Sequence, residues 1–306
     1  MEKYLGIDIG GTFIKYGVFN KDGMELSSGK VKTTMITLDR FINTLLNIIN
    51  ENEDVDGIGI SMPGFIDTNT GYILDAGSIY PLHNKNLKEI IYEKCGKHIE
   101  IENDANCVAL AEKWMGNGKG YSDFLVMTIG TGIGGGIIID NKLYKGNRFM
   151  AGEFGYMIVD GVGHNTPKYT SNKNASMKAL VNSVARAKFM PREMLDGKKI
   201  FDMIENNDEK VIDVYNKWIN HLALTIYNLV YSFNPEAILI GGGVSKQIRL
   251  IDDIKIRLYE IDKRIIELVN IETCKFYNDS GKIGAVYNYL FKNNKIDAIF
   301  LKNSSG

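Results

Sequence analysis

Short apolar blocks broken by glycine open the chain: Tyr-Leu-Gly-Ile-Asp-Ile over residues 4–9, then Gly10-Gly11-Thr12, then Phe-Ile-Lys-Tyr-Gly-Val-Phe over residues 13–19. β-Branched and aromatic residues flank the glycines, so the pattern predicts two strands joined as a hairpin. Leu38, Phe41, Leu45, Ile48 and Ile49 then recur at helical intervals. Residues 57–61 (Gly-Ile-Gly-Ile-Ser) read as a short buried strand ending at Met-Pro-Gly, residues 88–94 as a helix and residues 99–102 as a strand. A helix is predicted over residues 105–115, ended by the glycines of residues 116–120, a candidate hinge.

The opening pattern then returns. Residues 124–129 read as a strand, residues 130–136 as a glycine turn and residues 137–140 as a strand, an offset of 120 residues from the first unit. Helices are predicted over residues 176–188, 211–233 and 248–259, with a strand at 237–240 that ends in Gly241-Gly242-Gly243. Alternating strands and helices argue for an α/β protein. The repeat divides it into two similar lobes, residues 1–118 completed by about 285–306, and residues 119–284.

Composition sharpens this. Glycine takes 32 of 306 positions and proline only 5, and five of the glycines crowd into residues 130–136. No Gly-X-Y period runs through the chain, which excludes collagen, and the scarcity of proline excludes a Pro/Gly-rich disordered chain. Clustered glycine signals local backbone demands. With 36 basic and 37 acidic residues the net charge is -1, and only 7 of the basic residues are Arg, so no nucleic-acid partner is expected. Three scattered cysteines fit a reducing cytoplasm. The N-terminus has no signal-like apolar region and no run suits a membrane span, so no membrane partner is expected.

Glycine turns between strands bring backbone N–H groups close to a ligand, and such nests suit phosphate oxygens, although any one of them is equally a plain tight hairpin. Asp8 beside the first turn is a candidate Mg²⁺ ligand, directly or through water, and Thr12 and Thr131 are candidate hydroxyl donors to phosphate. No Gly-Lys pair is followed by Ser or Thr, which excludes a P-loop. Gly130, Gly132 and Gly135 satisfy G-x-G-x-x-G, yet Gly136 leads into Ile-Ile-Ile-Asp, a strand where a dinucleotide fold requires a helix. Asp104 follows one predicted strand and begins the next helix. The residues alone leave it either a helix cap, a role Asn103 or Asn106 could share, or a catalytic carboxylate. Glu153 alone reads as an ordinary surface acid.

Taken together these segments resemble the ROK sugar kinases, a branch of the actin-like ATPase (ribonuclease H-like) fold, in order from residue 4 to about 290. Asp8-Ile-Gly10-Gly11-Thr12-Phe-Ile-Lys15 is similar to the family's first phosphate motif, and Gly130-Thr131-Gly132-Ile-Gly134-Gly-Gly136 to its second. Ile101-Glu102-Asn103-Asp104-Ala105-Asn106 resembles the catalytic segment and Gly152-Glu153-Phe-Gly-Tyr156 the sugar segment. Ile238-Leu-Ile-Gly241-Gly242-Gly243-Val244 resembles the adenosine motif, and residues 281–286 the C-terminal segment. The resemblance implies an ATP- and Mg²⁺-dependent kinase for a primary hydroxyl of a sugar, built as two lobes closing over a cleft. It implies Asp104 as general base, kept ionised by a helix N-terminus, and Asn103 and Glu153 as sugar ligands, with a backbone amide at Gly64 approaching the sugar. A homodimer is also implied. A ROK repressor would need an N-terminal helix-turn-helix, and Tyr4 already falls in the first predicted strand.

Two departures matter. The family's zinc motif needs a His and three Cys; Tyr156 stands at the His position, no cysteine follows in residues 160–176, and only His164 and Asp160 there are ligand types. No zinc is expected. The family also carries a sugar-touching glutamate just after that motif, and alignment on Ala175-Ser176 puts Asn172 there. The sugar's anomeric end is therefore expected to be recognised differently, with tolerance at C1 for a β-glucoside or β-linked disaccharide. Glucose and N-acetylmannosamine are the alternatives.

Overall fold

The computed structural model describes residues 1–161 and 166–296. These divide into two units, Met1–Gly120 with Gly136–Ala151 and the chain from Asn278 onward, and Tyr121–Gly135 with Gly152–Tyr277. In the first unit β1 (Lys3–Ile9), β2 (Phe13–Asn20) and β3 (Glu25–Lys32) run antiparallel. Then come α1 (Leu38–Glu51) and β4 (Gly57–Met62), which pairs parallel to β1. β5 (Phe65–Asp67), β6 (Tyr72–Asp75) and β7 (Lys85–Asn86) make a small antiparallel sheet, and α2 (Leu87–Cys95) leads on to β8 (Ile99–Asn103). β8 lies parallel to β4, completing the order β3-β2-β1-β4-β8, and α3 (Asp104–Met115) leaves its end.

A second sheet has the order β11-β10-β9-β12-β13, from β9 (Phe124–Ile129), β10 (Ile133–Ile139), β11 (Lys142–Leu143), β12 (Ala237–Gly241) and β13 (Asn270–Thr273). β9, β12 and β13 are parallel. The helices are α4 (Ser171–Asn174), α5 (Met177–Lys188), α6 (Gly197–Glu205), α7 (Glu209–Phe233), α8 (Ile248–Ile261), α9 (Ile265–Leu268) and α10 (Ser280–Lys292). Caps explain several starts: the side chains of Thr37, Asn86, Ser176, Asp196 and Asp208 each accept a backbone N–H from the first turn that follows. The apolar stripe of α1 (Phe41, Ile42, Leu45, Ile48, Ile49) is buried against the first unit's core of Leu5, Ile7, Ile58, Ile60 and Ile101. Among the described residues, no helix is long and apolar enough to cross a membrane.

Two glycine stretches differ from the sequence pattern. The second glycine turn is only residues 130–132, because Gly134, Gly135 and Gly136 already lie in β10. They are strand residues with close neighbours: a Cβ on Gly135 would overlap the Phe154 ring, and one on Gly136 would come within 2.7 Å of the Ala109 methyl. The C-terminal segment, from which the sequence pattern assigns only residues from about 285 to the first lobe, is a helix that begins at Ser280 and includes Gly281 and Gly284. A Cβ on Gly284 would overlap the Cys107 carbonyl, and one on Gly281 the Asp8 carboxylate. Closeness to a neighbour, not a break in the helix, selects glycine here.

Gly284→Ala should gain up to about 1 kcal/mol of helix propensity and lose more, about 1–3 kcal/mol for overpacking against a backbone atom. A lower denaturation midpoint is expected; a raised one would show that α10 yields easily.

Candidate active site

Asp104 opens α3, but Asn103 caps it. The Asn103 Oδ1 accepts the N–H groups of Ala105 (2.9 Å) and Asn106 (3.2 Å), so the helix terminus does not depend on Asp104 for its cap. The Asp104 Oδ1 accepts the Ala105 N–H at 2.8 Å, and the residue is exposed. Asn103 also donates through Nδ2 to the Gly64 carbonyl at 3.1 Å, where Gly64 holds φ at +115° against the Asp75 carbonyl. With Oδ1 doubly engaged, what Asn103 retains for a ligand is its second Nδ2 hydrogen, a donor.

The helix N-terminus does not set the ionisation of Asp104. Protein massed around its carboxyl group, and then the negative charge of Asp8, push its pKa up to about 6, against the lowering by the Ala105 N–H. At pH 7 it is still mostly ionised, about nine parts in ten. Behind it lies Glu102, 1% exposed, whose Oε1 accepts from the Asn103 N–H (3.0 Å) and Asn106 Nδ2 (3.0 Å). Its Oε2 pairs with Lys145 Nζ at 2.7 Å, and that ammonium also donates to Thr68 Oγ1 at 2.8 Å. The sequence reading passed over this pair. Glu100 and Glu102, alternating with Ile99 and Ile101, were the available sign of a polar face on β8; nothing marked Lys145 as the partner.

Asp8 ends up in the same unit. Its Oδ1 accepts the Ser61 hydroxyl at 2.9 Å from the neighbouring β4, and Lys15 is its cross-strand partner on β2. Burial raises its pKa, while Ser61, Lys15 and Lys282 oppose the rise. Lys15 Nζ donates to the Asn278 carbonyl at 2.9 Å. The first turn is a tight hairpin: the Gly10 N–H bonds to the Phe13 carbonyl at 3.1 Å, leaving Gly11 and Thr12 exposed with Ser78 Oγ beside Gly11.

In the second unit the Gly130 N–H closes onto the Gly132 carbonyl at 2.9 Å. Gly130 and Thr131 line a cavity of about 790 Å³, together with Gly243 and Val244. Val181 and Phe201 give it apolar walls; Lys178, Lys198, Lys246 and Arg192 add positive charge. Gly241 ends β12 and Gly242, at φ +90°, passes tightly by Ile129, so these two shape the turn while Gly243 faces open space. Gly132 does not line the cavity; it faces Asn172 Oδ1, 3.0 Å from where its Cβ would lie. Sequence reasoning found the glycines and missed the walls, which come from α5, α6 and residues 192–195, without any local signature.

Glu153 precedes the 3-10 turn Phe154–Tyr156, whose Phe154 is buried against Gly135. Tyr156 is 61% exposed. Asn172 stands close by: its side chain fills the space that a Cβ on Gly155 would need.

The donor chemistry fits a nucleotide and a hard cation. A slot of this size with apolar walls and basic rims suits a purine nucleotide. Among the described residues, no group of three or more His, Cys, Asp or Glu is arranged to hold a metal ion. Magnesium carried on phosphates needs only one or two protein carboxylates, and the first unit has a candidate for one in Asp8. His164 lies outside the described residues.

The model of the ROK family matches residues 4–293. The β-glucoside kinase of Listeria monocytogenes is 37% identical over 294 residues, which cover 96% of this chain and 99% of that protein. Two solved structures are similar. One, a Listeria monocytogenes protein proposed to be an N-acetylmannosamine kinase, has a TM-score of 0.90 at 37% identity, covering 95% of this chain and 100% of its own. The other, a ROK glucokinase from Streptomyces griseus in complex with glucose and AMPPNP, has a TM-score of 0.79 at 28% identity, covering 93% and 98%. The chain belongs to the ROK family, and its fold is the actin-like ATPase fold of those kinases.

Proposed function

We propose that this protein is a carbohydrate kinase that moves the γ-phosphoryl group of ATP to the primary hydroxyl of a hexose or β-glucoside. The observation that carries the reading is Asp104: exposed, relieved of capping by Asn103, and with a pKa of about 6. As the hydroxyl oxygen bonds to the γ-phosphorus and ADP departs, the hydroxyl proton passes to the Asp104 carboxylate. A base whose pKa lies near working pH combines correct ionisation with driving force.

Around that step the other residues position and neutralise. Gly10, Gly11, Thr12 and Lys15 meet phosphate in the first unit. Gly130 and Thr131 do so in the second, where Gly132 and Gly134 shape the loop and the strand after it, with Gly241, Gly242 and Gly243 shaping the adenosine turn. Magnesium, held through Asp8 or its water, would neutralise the charge on the transferred phosphate. Gly64, Asn103, Glu153 and Tyr156 contact the sugar, Asn103 as a donor. The two units correspond to a sugar-kinase lobe and a nucleotide lobe. The three scattered cysteines suit the cytoplasm, and the family resemblance supports a homodimer.

A β-glucoside is favoured by the 37% identity to a β-glucoside kinase together with Tyr156 in place of the family's His. A 2-acetamido sugar is the second reading, favoured by the likeness to the proposed N-acetylmannosamine kinase.

Asp104→Asn should lower kcat by about 10²–10⁴-fold while sugar binding by calorimetry persists; unchanged turnover removes the base assignment. Because the folded pKa lies above the unfolded value, the ionised carboxylate opposes folding above about pH 6. The same variant should therefore melt no lower than wild type at pH 8.

For wild type, kcat/KM for the sugar should fall tenfold per pH unit below about 6, as Asp104 takes up its proton. An acid limb near pH 4 would show that neither burial nor Asp8 governs it.

In a coupled ADP-release assay, cellobiose or aryl β-glucosides should equal or exceed free glucose in kcat/KM. A strong preference for glucose or N-acetylmannosamine would overturn tolerance at C1.

A further inference from the structure

Asn172 occupies a place where two candidate ligand segments meet in one unit. Its Oδ1 accepts the Ile133 N–H at 2.7 Å, directly after the turn of residues 130–132. On its other side the amide lies against Gly155, where a Cβ would overlap it, between Glu153 and Tyr156. Two glycines, Gly132 and Gly155, thus face one side chain from different segments.

The backbone carrying Asn172 is itself fixed at several points. Ser171 N–H donates to the Met157 carbonyl at 2.8 Å, and the Ser171 hydroxyl pairs with Thr225 in the interior at 2.9 Å. The Ser176 hydroxyl returns to the Asn172 carbonyl at 2.7 Å, and Met177 N–H reaches the Gly130 carbonyl at 3.0 Å. Residues 171–177 therefore hold the glycine turn at two points, Gly130 and Ile133, and the sugar segment at Met157 and Gly155. An amide wedged between two backbone segments transmits a displacement of either to the other, because a close-packed contact has no slack.

We propose that Asn172 is a positioning residue that couples the phosphate turn at residues 130–133 to the sugar segment at residues 152–157, so that a change on the sugar side is felt at the nucleotide. The proposal rests on the kinase reading above and deepens it. Asn172 touches neither reacting group; it sets the turn on one side and Glu153 and Tyr156 on the other.

The test is a double-mutant cycle on the full chain: Gly155→Ala, Asn172→Ala and both together, with KM for ATP and for the best sugar, and the Kd of AMPPNP by calorimetry. Gly155→Ala, in the sugar segment, should raise KM for ATP and Kd for AMPPNP roughly five- to tenfold, the effect of losing one hydrogen bond. Asn172→Ala should raise both KM values by a similar factor. The double variant should bind nucleotide no worse than Asn172→Ala, because the wedge is already gone. A nucleotide affinity within twofold of wild type in Gly155→Ala, or singles whose effects multiply in the double, overturns the coupling. Should Gly155→Ala fail to fold, Asn172→Ala decides: a change confined to one substrate refutes the proposal. Absence of turnover in wild type with every sugar would refute the kinase reading, while the AMPPNP affinities still report on the coupling.

Discussion

The first unit depends on how closely α10 lies against β1, β4 and α3. Side chains are removed at each contact. A Cβ at Gly6 of β1 or Gly59 of β4 would overlap carbonyl oxygens of Lys282 and Ala285, and Gly281 and Gly284 stand equally tight against Asp8 and Cys107. Helical glycine costs about 1 kcal/mol relative to alanine, so two within α10 are retained against a propensity that would select otherwise. The gain is backbone-to-backbone packing that fixes the spacing of three elements. Asp8 lies on one of them and Asp104 begins another, so the separation of the two carboxylates follows from the helix that touches both. Lys282, buried on the same helix, reaches Glu25 at 2.7 Å and anchors α10 to the start of β3.

That spacing has an electrostatic consequence. Asp8 is near enough to contribute to the raised pKa of Asp104, and the polar terminus of α3 does not cancel it. Helix-terminal effects fade within a turn and are modest at exposed sites, whereas crowding by protein and a second carboxylate act in the same direction. A third acid, Glu102, lies two residues away and is buried, yet Lys145 neutralises it and two N–H donors satisfy its other oxygen. Glu102 therefore orders the peptide at Asn103. Removing Lys145 alone would leave a buried carboxylate without its counter-charge, an arrangement that proteins tolerate poorly.

Patterns in the chain revealed what is local. The hairpin of β1 and β2, the apolar stripe of α1 and the 25-residue α7 follow from periodicity within one segment. β3 carries a mostly exposed, polar sequence, Glu-Leu-Ser-Ser-Gly-Lys-Val-Lys, and forms a strand because β2 offers an edge; periodicity had nothing to report. Gly134–Gly136 misled for a related reason. Glycine is a turn signal only when nothing packs against it, and what packs against these comes from distant residues such as Phe154 and Ala109. The candidate site divides likewise: the glycine turns, Asp8 and Asp104 carry short motifs. Lys145, Ser61 and the walls around Gly243 enter only through the fold.

Asn172 bears on what the sugar segment discriminates. At the position where the family resemblance puts a sugar-touching glutamate, this chain has an amide whose oxygen is already committed to the Ile133 N–H. A site that hydrogen-bonds a substrate hydroxyl rejects an analogue lacking it by several orders of magnitude, because its own buried polar group is then left unpaired. An apolar contact discriminates by only about 1–3 kcal/mol. On the proposed reading, an amide in place of that carboxylate would not enforce a free anomeric hydroxyl, and the face of Tyr156, largely exposed, would accept a ring or an alkyl group as readily as a hydroxyl. On the proposed reading, the residue that gives up a sugar contact is the same one that fixes the nucleotide turn. Tolerance at C1 and coupling between the two ligand segments then have one structural origin.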